Sequence, residues 1–406
     1  MVQVQGEQLI PSNTRMYLFP PLTAEVRRTL EDLPRLIDQV FPLPRRFRVT
    51  LYRETAELSR LLTSSRGERS DSYLTRKGLL SAYLRYFLPW NSYRLCRLLP
   101  GLALDFAAGD AVLDLGAGPL TLVLALWIAR PDIRQLPLEF RCLDRSAAAL
   151  NAGKRLFQAL AGASPWIIKP IHAPLGARIY GPKVRLVSAL QVFNERFEKI
   201  PQADTRALQE AADKTSRLLS SLVAPDGSIL VLEPGVPWSG EWLAALRSAL
   251  LKQGKVPYAP CPHQGACPCP GGKAKWCHFS LDTEDAPVAL HNLSAAAGLP
   301  KERAPLSFLL TGPRGAAQET LQGEENTLAV RILSDRFPLS YPSNRYGRYG
   351  CSERGLVLVI EGDLRKSGTS GELVLLKPGS PEKRDPKTGA LMMDMLSLLK
   401  QGAYWA

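Results

Sequence analysis

The chain has 406 residues, 45% hydrophobic and 22% charged, enough to bury a large core in two or three domains. Its formal net charge of +13 favours a polyanionic partner, nucleic acid ahead of a membrane surface. The longest mostly apolar run, residues 120–129, falls well short of the roughly 20 needed to span a bilayer, so no membrane segment is expected. Residues 1–20 have neither a signal-peptide nor a transit-peptide pattern, so the seven cysteines are expected to be reduced thiols of a cytoplasmic protein.

Residues 1–108 read as an N-terminal helical region. Val26, Leu30, Leu33, Leu36, Ile37 and Val40 recur at helical spacing, predicting a helix over 24–40 that Pro34 kinks or splits. Further helices are predicted over 52–62, over 73–88 with a stop at Pro89, and over 91–99, closed by Pro100-Gly101. Arg45, Arg46, Arg48, Arg76, Lys77, Arg85, Arg94 and Arg97 lie among Tyr73, Tyr83, Tyr86, Trp90 and Tyr93. Guanidinium groups beside aromatic rings suit an RNA surface, and an amphipathic helix that packs its rings into a core gives the same pattern.

Residues 109–252 alternate strand and helix. Strands are predicted over 111–115, 138–143, 184–190 and 228–232, and helices over 120–129, 147–160 and 205–222. Strands separated by helices call for a doubly wound α/β domain, its parallel sheet covered on both faces. Residues 253–300 form a Pro- and Gly-rich insertion with most of the cysteines. Residues 301–406 read as a small C-terminal β domain, with strands over 306–310, 327–332, 356–360 and 372–376 and turns at Gly347, Gly350 and Gly355. A charged loop over 378–389 precedes an expected closing helix.

Two constellations carry chemistry. In the first, Asp114-Leu115-Gly116-Ala117-Gly118 runs from a strand end through a glycine turn into a helix, and Asp144 ends the next strand. The glycines let a ligand approach the backbone, and Asp144 is placed to accept hydrogen bonds from both hydroxyls of a ribose. This order resembles the S-adenosylmethionine-dependent methyltransferases of the doubly wound class. The acid ahead of the glycines, Asp114, separates it from dinucleotide oxidoreductases. Where many such loops carry a third glycine this chain has Leu120, whose side chain is expected to crowd the methionine end of a donor. Beyond the 184–190 strand, Asn194 and Glu195 are candidate catalytic residues or caps of the following helix. Direct displacement from a sulfonium needs positioning more than a base.

In the second constellation, Cys261-Pro262-His263, Cys267-Pro268-Cys269-Pro270 and Trp276-Cys277-His278 are followed far downstream by Cys351. Zinc and iron–sulfur clusters both take four thiolates. Irregular spacing and repeated Cys-Pro steps favour a 4Fe-4S cluster over zinc, with Cys269 an alternative to Cys267. His263 and His278 are ligands in a zinc site or hydrogen-bond partners of ligands in either.

Together these segments resemble the methyltransferase-like factors of small ribosomal subunit assembly, known from mitochondria with bacterial relatives. Leu88-Pro89-Trp90-Asn91 and Leu232-Glu233-Pro234-Gly235 belong to the likeness, which extends from Tyr73 onward. The resemblance implies ribosomal RNA as partner and two cofactors. S-adenosylmethionine would lie against Asp114, Gly116, Gly118 and Asp144, and a 4Fe-4S cluster would be held by Cys261, Cys267, Cys277 and Cys351. It leaves open a methyltransferase or a non-catalytic assembly factor with a vestigial pocket. Arg331, Arg345, Arg348 and the basic N-terminal helices are expected to grip the RNA.

Overall fold

The computed structural model describes residues 17–63, 73–197, 200, 204–269, 276–314, 327–340, 344–362 and 369–395. Helix α1 (Ala24–Val40) starts where the Thr23 side chain accepts the Val26 N–H, and it buries Val26, Leu30, Leu33 and Ile37 on one face. Pro34 does not split it. The expected break is absent because Leu33 and Ile37 on either side of the proline hold both turns to the same core. Short α2 (Arg45–Arg48) and α3 (Leu51–Leu62) follow.

The predicted stop at Pro89 is also absent. The chain stays helical from α4 (Lys77–Ala82) through a π-helical turn (Tyr83–Phe87) into α5 (Leu88–Leu98). The widened turn just before Pro89 accommodates a residue that has no N–H and would clash with a regular α-helical carbonyl. Tyr86, Trp90 and Tyr93 are buried in the main core, and Tyr73 in a smaller cluster with α3 and α4. These rings are core, and the RNA reading loses them.

The doubly wound domain is built from β1 (Ala111–Leu115), α6 (Thr121–Ala129), β2 (Glu139–Asp144), α7 (Ala147–Ala161), β3 (Ile167–His172), β4 (Val184–Leu190), short α8 (Phe193–Arg196), α9 (Thr205–Leu222), β5 (Val223–Pro234) and α10 (Pro237–Lys252). After these come β6 (Lys255–Ala259), β7 (Phe279–Asp282), α11 (Val288–Ala296) and β8 (Arg303–Pro313). The strands form one eight-stranded sheet in the order β3-β2-β1-β4-β5-β8-β6, with β7 also on β8. β1 to β5 are parallel, and β8 runs antiparallel to β5, β6 and β7. The order reverses between β1 and β4, so their carboxyl ends frame the crevice where such folds bind ligands. Helix α6 is buried along its whole length. β3 was not expected from the sequence, since Pro170 interrupts its apolar pattern. It is an edge strand, where a missing N–H is tolerated.

The boundary expected at residue 301 differs in the structure. The 306–310 segment lies in β8 of the main sheet, where Leu306, Phe308 and Leu310 join the principal core. The second sheet has seven strands: β9 (Leu328–Ile332), β10 (Phe337–Pro338), β11 (Tyr346–Ser352), β12 (Gly355–Glu361), β13 (Leu373–Leu376), β14 (Lys383–Arg384) and β15 (Leu391–Asp394). It is antiparallel except for the parallel pair β12 and β15. Gly347 and Gly350 lie inside β11 rather than at turns, and only Gly355 turns the chain. A Cβ at Gly350 would come within 2.4 Å of Val330 Cγ1, so the glycine serves strand packing. The 378–389 loop contains β14, and the chain then returns as β15. The remainder of the expected closing helix lies outside the described residues. No helix among the described residues is long and apolar enough to cross a membrane.

Candidate cofactor pocket and cysteine cavity

The crevice at the ends of β1 and β4 is lined by Asp114, Gly116, Ala117, Thr121, Leu190 and Gln191, with Tyr83, Asn91 and Arg94 reaching in from the N-terminal helices. Asp114 is buried and accepts a 2.7 Å hydrogen bond from Ser188 Oγ. Burial pushes its carboxyl up to about 7, against the pull of Ser188, and the nearby Asp144 adds to the rise. Gly116 has a φ of 70°, and a Cβ there would meet Val192 Cγ2 at 2.5 Å. Only glycine allows the loop to turn this way against the segment after β4.

Asp144 fastens the loop. Its two carboxylate oxygens accept the Gly118 N–H at 2.9 Å and the Ser146 N–H at 2.7 Å, while the N–H groups of Gly116 and Ala117 donate to Leu143 O. Of the four residues expected to meet a donor, Asp114 and Gly116 line the crevice, while Gly118 and Asp144, bonded to each other, hold the loop and are not among its lining residues. Leu120 adopts a left-handed conformation, and its side chain is buried against α7. It does not line the pocket, so the expected crowding is absent.

Asn194 and Glu195 do not line this pocket either. Both lie on α8, whose leading N–H groups, from Val192, Phe193 and Asn194, donate to the buried carboxylate of Glu233 at the end of β5. Burial pushes the Glu233 carboxyl up to about 8 against those three donors. Glu233 is the residue that holds the post-β4 segment in place. Sequence reading missed this role, although Leu232-Glu233-Pro234-Gly235 stood out as a motif. It also missed Asn91 and Arg94 as pocket residues, for which a helix presented no local signal.

The cysteines converge from three segments. Cys261, Cys267 and Cys269 from the loop after β6, Cys277 ahead of β7, and Cys351 on β11 line one cavity between α10, β8 and the second sheet. It encloses about 540 Å³ of atom-free space, solvent at its mouth included. Cys96 and Cys142 are buried elsewhere. Arg331 on β9 is opposite Cys351 in the strand pairing, which places both at the cavity. Arg331 is 1% exposed and donates to Pro260 O and Gly371 O, tying the cysteine loop to the second sheet. Arg247, 4% exposed, donates to His263 O at 2.8 Å. His263 Nε2 stands 3.2 Å from Cys351 Sγ. His278 is turned instead to Trp276 O.

Burial first, then neighbouring thiols, pushes Cys267 up to about 11 and raises Cys277 and Cys351 well above the ordinary thiol range. Burial followed by Arg247 holds His263 down at about 4, which leaves it neutral. Among the described residues, no group of three or more His, Cys, Asp or Glu is placed to hold a single metal ion. The donor set nonetheless fits an anionic inorganic group: five thiols and two buried guanidinium groups line one space, and His263 Nδ1 and Arg247 Nε lack partners among the described residues.

The residues expected to grip RNA divide. Arg348 pairs with Glu361 at 2.9 Å, Arg345 with Asp394, Arg85 with Asp38 and Arg97 with Asp282. With Arg331 at the cavity, these side chains have internal work, and the expected RNA contacts through them are not supported. Arg45, Arg46 and Arg48 stay exposed around Phe47, itself 49% exposed.

Residues 204–332 match the family model Rsm22, described as mitochondrial small ribosomal subunit Rsm22. Over that stretch the chain is similar to Rsm22. The matched stretch is about a third of the chain and takes in α9, β5, α10 and the cysteine segment up to the end of β9. No curated protein matches significantly. Solved structures similar to this chain include an S-adenosylmethionine-dependent methyltransferase from Thiobacillus denitrificans in complex with S-adenosylhomocysteine, at 16% identity. That match covers 56% of this chain and 92% of the other, with a TM-score of 0.32. A second, from Geobacter sulfurreducens and also in complex with S-adenosylhomocysteine, is 14% identical over 64% and 98%, with a TM-score of 0.32. The magnesium protoporphyrin IX methyltransferase of Synechocystis is 14% identical over 56% and 83%, with the same TM-score of 0.32. At these scores the likenesses carry no argument. The methyltransferase-like fold of this chain is read from its strand order, its switch point and its glycine loop.

Proposed function

We propose that this protein binds RNA of the small ribosomal subunit, holds S-adenosylmethionine in the glycine-loop pocket, and carries a 4Fe-4S cluster in the cysteine cavity. The convergence of five thiols from three distant segments carries the reading. A reduced cluster of buried and half-buried thiols beside two guanidinium groups fits tetrathiolate chemistry, in which the group's negative charge is met by fixed cations. Cys261, Cys267, Cys277 and Cys351 would be the ligands, with Cys269 the spare thiol. When bound, the cluster would supply a rigid crosslink between the cysteine loop and the second sheet.

In the pocket, Asp144 would accept the ribose hydroxyls while still holding Gly118, and the glycine turn would admit the nucleoside. RNA would be met by the exposed Arg45, Arg46 and Arg48 beside Phe47, within a chain of net charge +13. Methyl transfer to RNA is the activity this arrangement favours. One observation favours a non-catalytic assembly role instead: neither Asn194 nor Glu195 lines the pocket.

Metal and acid-labile sulfide analysis of anaerobically purified protein tests the cluster. Iron and sulfide in equal amounts with brown absorbance are expected, and zinc alone would overturn it. Calorimetry with S-adenosylmethionine, followed by transfer of a labelled methyl group to small-subunit RNA, separates the two roles. Binding without transfer selects the assembly factor. RNA affinity that is flat between low and high salt would remove the basic surface as the contact.

A further inference from the structure

The glycine-loop pocket and the cysteine cavity share a wall. In the antiparallel pairing of β5 with β8, Leu232 stands opposite Phe308 and Glu233 opposite Ser307. Leu232 lines the pocket, while Phe308 and Leu309 line the cavity. The segment that carries Cys277 is fastened to this strand pair twice. Ser307 Oγ donates to Cys277 O at 2.8 Å, and Trp276 Nε1 donates to Gly235 O at 3.3 Å, just past the end of β5. On β5, the Glu233 carboxylate accepts the N–H groups of Val192, Phe193 and Asn194, and Leu232 O accepts that of Gln191 at 2.7 Å. These bonds hold Gln191 at a φ of 61°, a left-handed conformation that a residue with a side chain adopts only at a cost. Gln191 lines the pocket, and the next residue, Val192, packs on Gly116. A strained segment held down by one buried carboxylate has two arrangements, docked and released.

We propose that these contacts couple the two sites, so that occupancy of the cysteine cavity sets the shape of the glycine-loop pocket. Cys277, once fixed as a ligand, keeps its carbonyl on Ser307 and keeps Trp276 on Gly235. β8 and the end of β5 are then held in place, and Glu233 stays beneath the leading N–H groups of α8. With Cys277 free, Glu233 loses that support, Gln191 relaxes out of its left-handed conformation and Val192 leaves Gly116. The pocket is thereby complete only when the cavity is filled. The inference rests on the two cofactor readings above and adds a regulatory link between them. A coupling free energy acts in both directions, so a ligand in the pocket also strengthens the hold on the occupant of the cavity.

The test is calorimetry with S-adenosylhomocysteine on the anaerobically purified full chain, before and after a chelator withdraws the iron. Withdrawal should weaken S-adenosylhomocysteine binding about tenfold, within the range usual for coupled sites. Ser307→Ala and Trp276→Phe alter neither a proposed ligand nor a residue lining either space. Each should keep its iron and brown absorbance, yet bind S-adenosylhomocysteine about 3- to 10-fold more weakly and lose less on iron withdrawal. Where the iron-free protein does not stay folded, these variants carry the test with a second measurement, the bleaching of the brown absorbance by chelator. S-adenosylhomocysteine should slow bleaching in the unmodified protein and protect the variants less. Equal affinity of loaded and iron-free protein overturns the coupling while leaving both sites standing. Iron-loaded variants with unchanged affinity and unchanged protection overturn it as well. Protein purified without iron removes the cluster reading, and protein that binds iron but not S-adenosylhomocysteine removes the donor reading, each taking the coupling with it.

Discussion

The glycine-loop pocket and the cysteine cavity are finished in different ways. At the pocket, the loop that shapes it is held by the chain's own groups, with Arg94 Nε left without a partner among the described residues: Asp144 takes two backbone N–H groups, Leu143 O takes two more, and Glu233 holds the segment after β4. At the cavity, thiols are pushed up by burial and by one another, and His263 Nδ1 and Arg247 Nε lack partners among the described residues. The first site folds itself and then receives a ligand. Under the proposed cluster reading the second depends on its occupant, so its stability and its occupancy would be one quantity.

That contrast predicts unequal consequences for single substitutions. The largest effect belongs to Cys351→Ser or Cys277→Ser. Each should abolish iron binding, remove the brown absorbance and cost about 5 kcal/mol or more of folding stability, read by thermal melting. Retention of iron and an unchanged melting curve in both variants would place the occupant elsewhere. Arg331→Met comes next. It leaves Pro260 O and Gly371 O without their buried donor, and the tie between cysteine loop and second sheet is lost. A loss of about 3 kcal/mol is expected, with proteolysis appearing first in the 261–269 loop. Protection of that loop equal to the parent's would show that Arg331 is not the tie.

The same contrast explains what was legible in the sequence. Asp114, Gly116, Gly118 and Asp144 are close along the chain, and short-range rules about turns and strand ends place them without knowledge of the rest. β8 and Arg331 were misread because their roles depend on pairing. Leu306 to Leu310 looks the same in any sheet, and only its partners β5, β6 and β7 assign it to the main one. Arg331 reads as a surface cation until Cys351 is seen opposite it. Pro34 and Pro89 misled for a related reason: local helix rules gave way to tertiary burial in one case and a π-helical turn in the other. Arg94 stood out in the sequence only as one basic residue among aromatic ones, because its place in the pocket depends on Asn91 three residues away and on the strand ends of another domain.

On the pocket side the effects should be smaller and confined to the ligand. Asp144→Asn retains one acceptor oxygen and places an NH2 group against a backbone N–H, so Gly118 or Ser146 loses its partner. A cost of about 2 kcal/mol in stability is expected, with weaker binding of both S-adenosylhomocysteine and 5′-methylthioadenosine, which has the same nucleoside but no amino acid, since this residue serves the half they share. Loss confined to S-adenosylhomocysteine would move Asp144 out of the ribose role.

The smallest effect is a pH dependence, and its sign follows from Asp114. Burial raises this carboxyl to about 7 in the free protein, so below that pH it is mostly protonated and cannot accept an ammonium group as an anion. Affinity for S-adenosylhomocysteine should therefore rise about tenfold between pH 5.5 and pH 7.0, while its own amino group stays charged throughout. Folding stability should move the other way. The unfolded chain loses this proton near pH 4 and the folded chain near pH 7, so the Asp114 contribution falls as pH rises across that window and is level above it. In Asp114→Asn both slopes should flatten together. A binding slope that survives the substitution would assign the titration to a group other than Asp114.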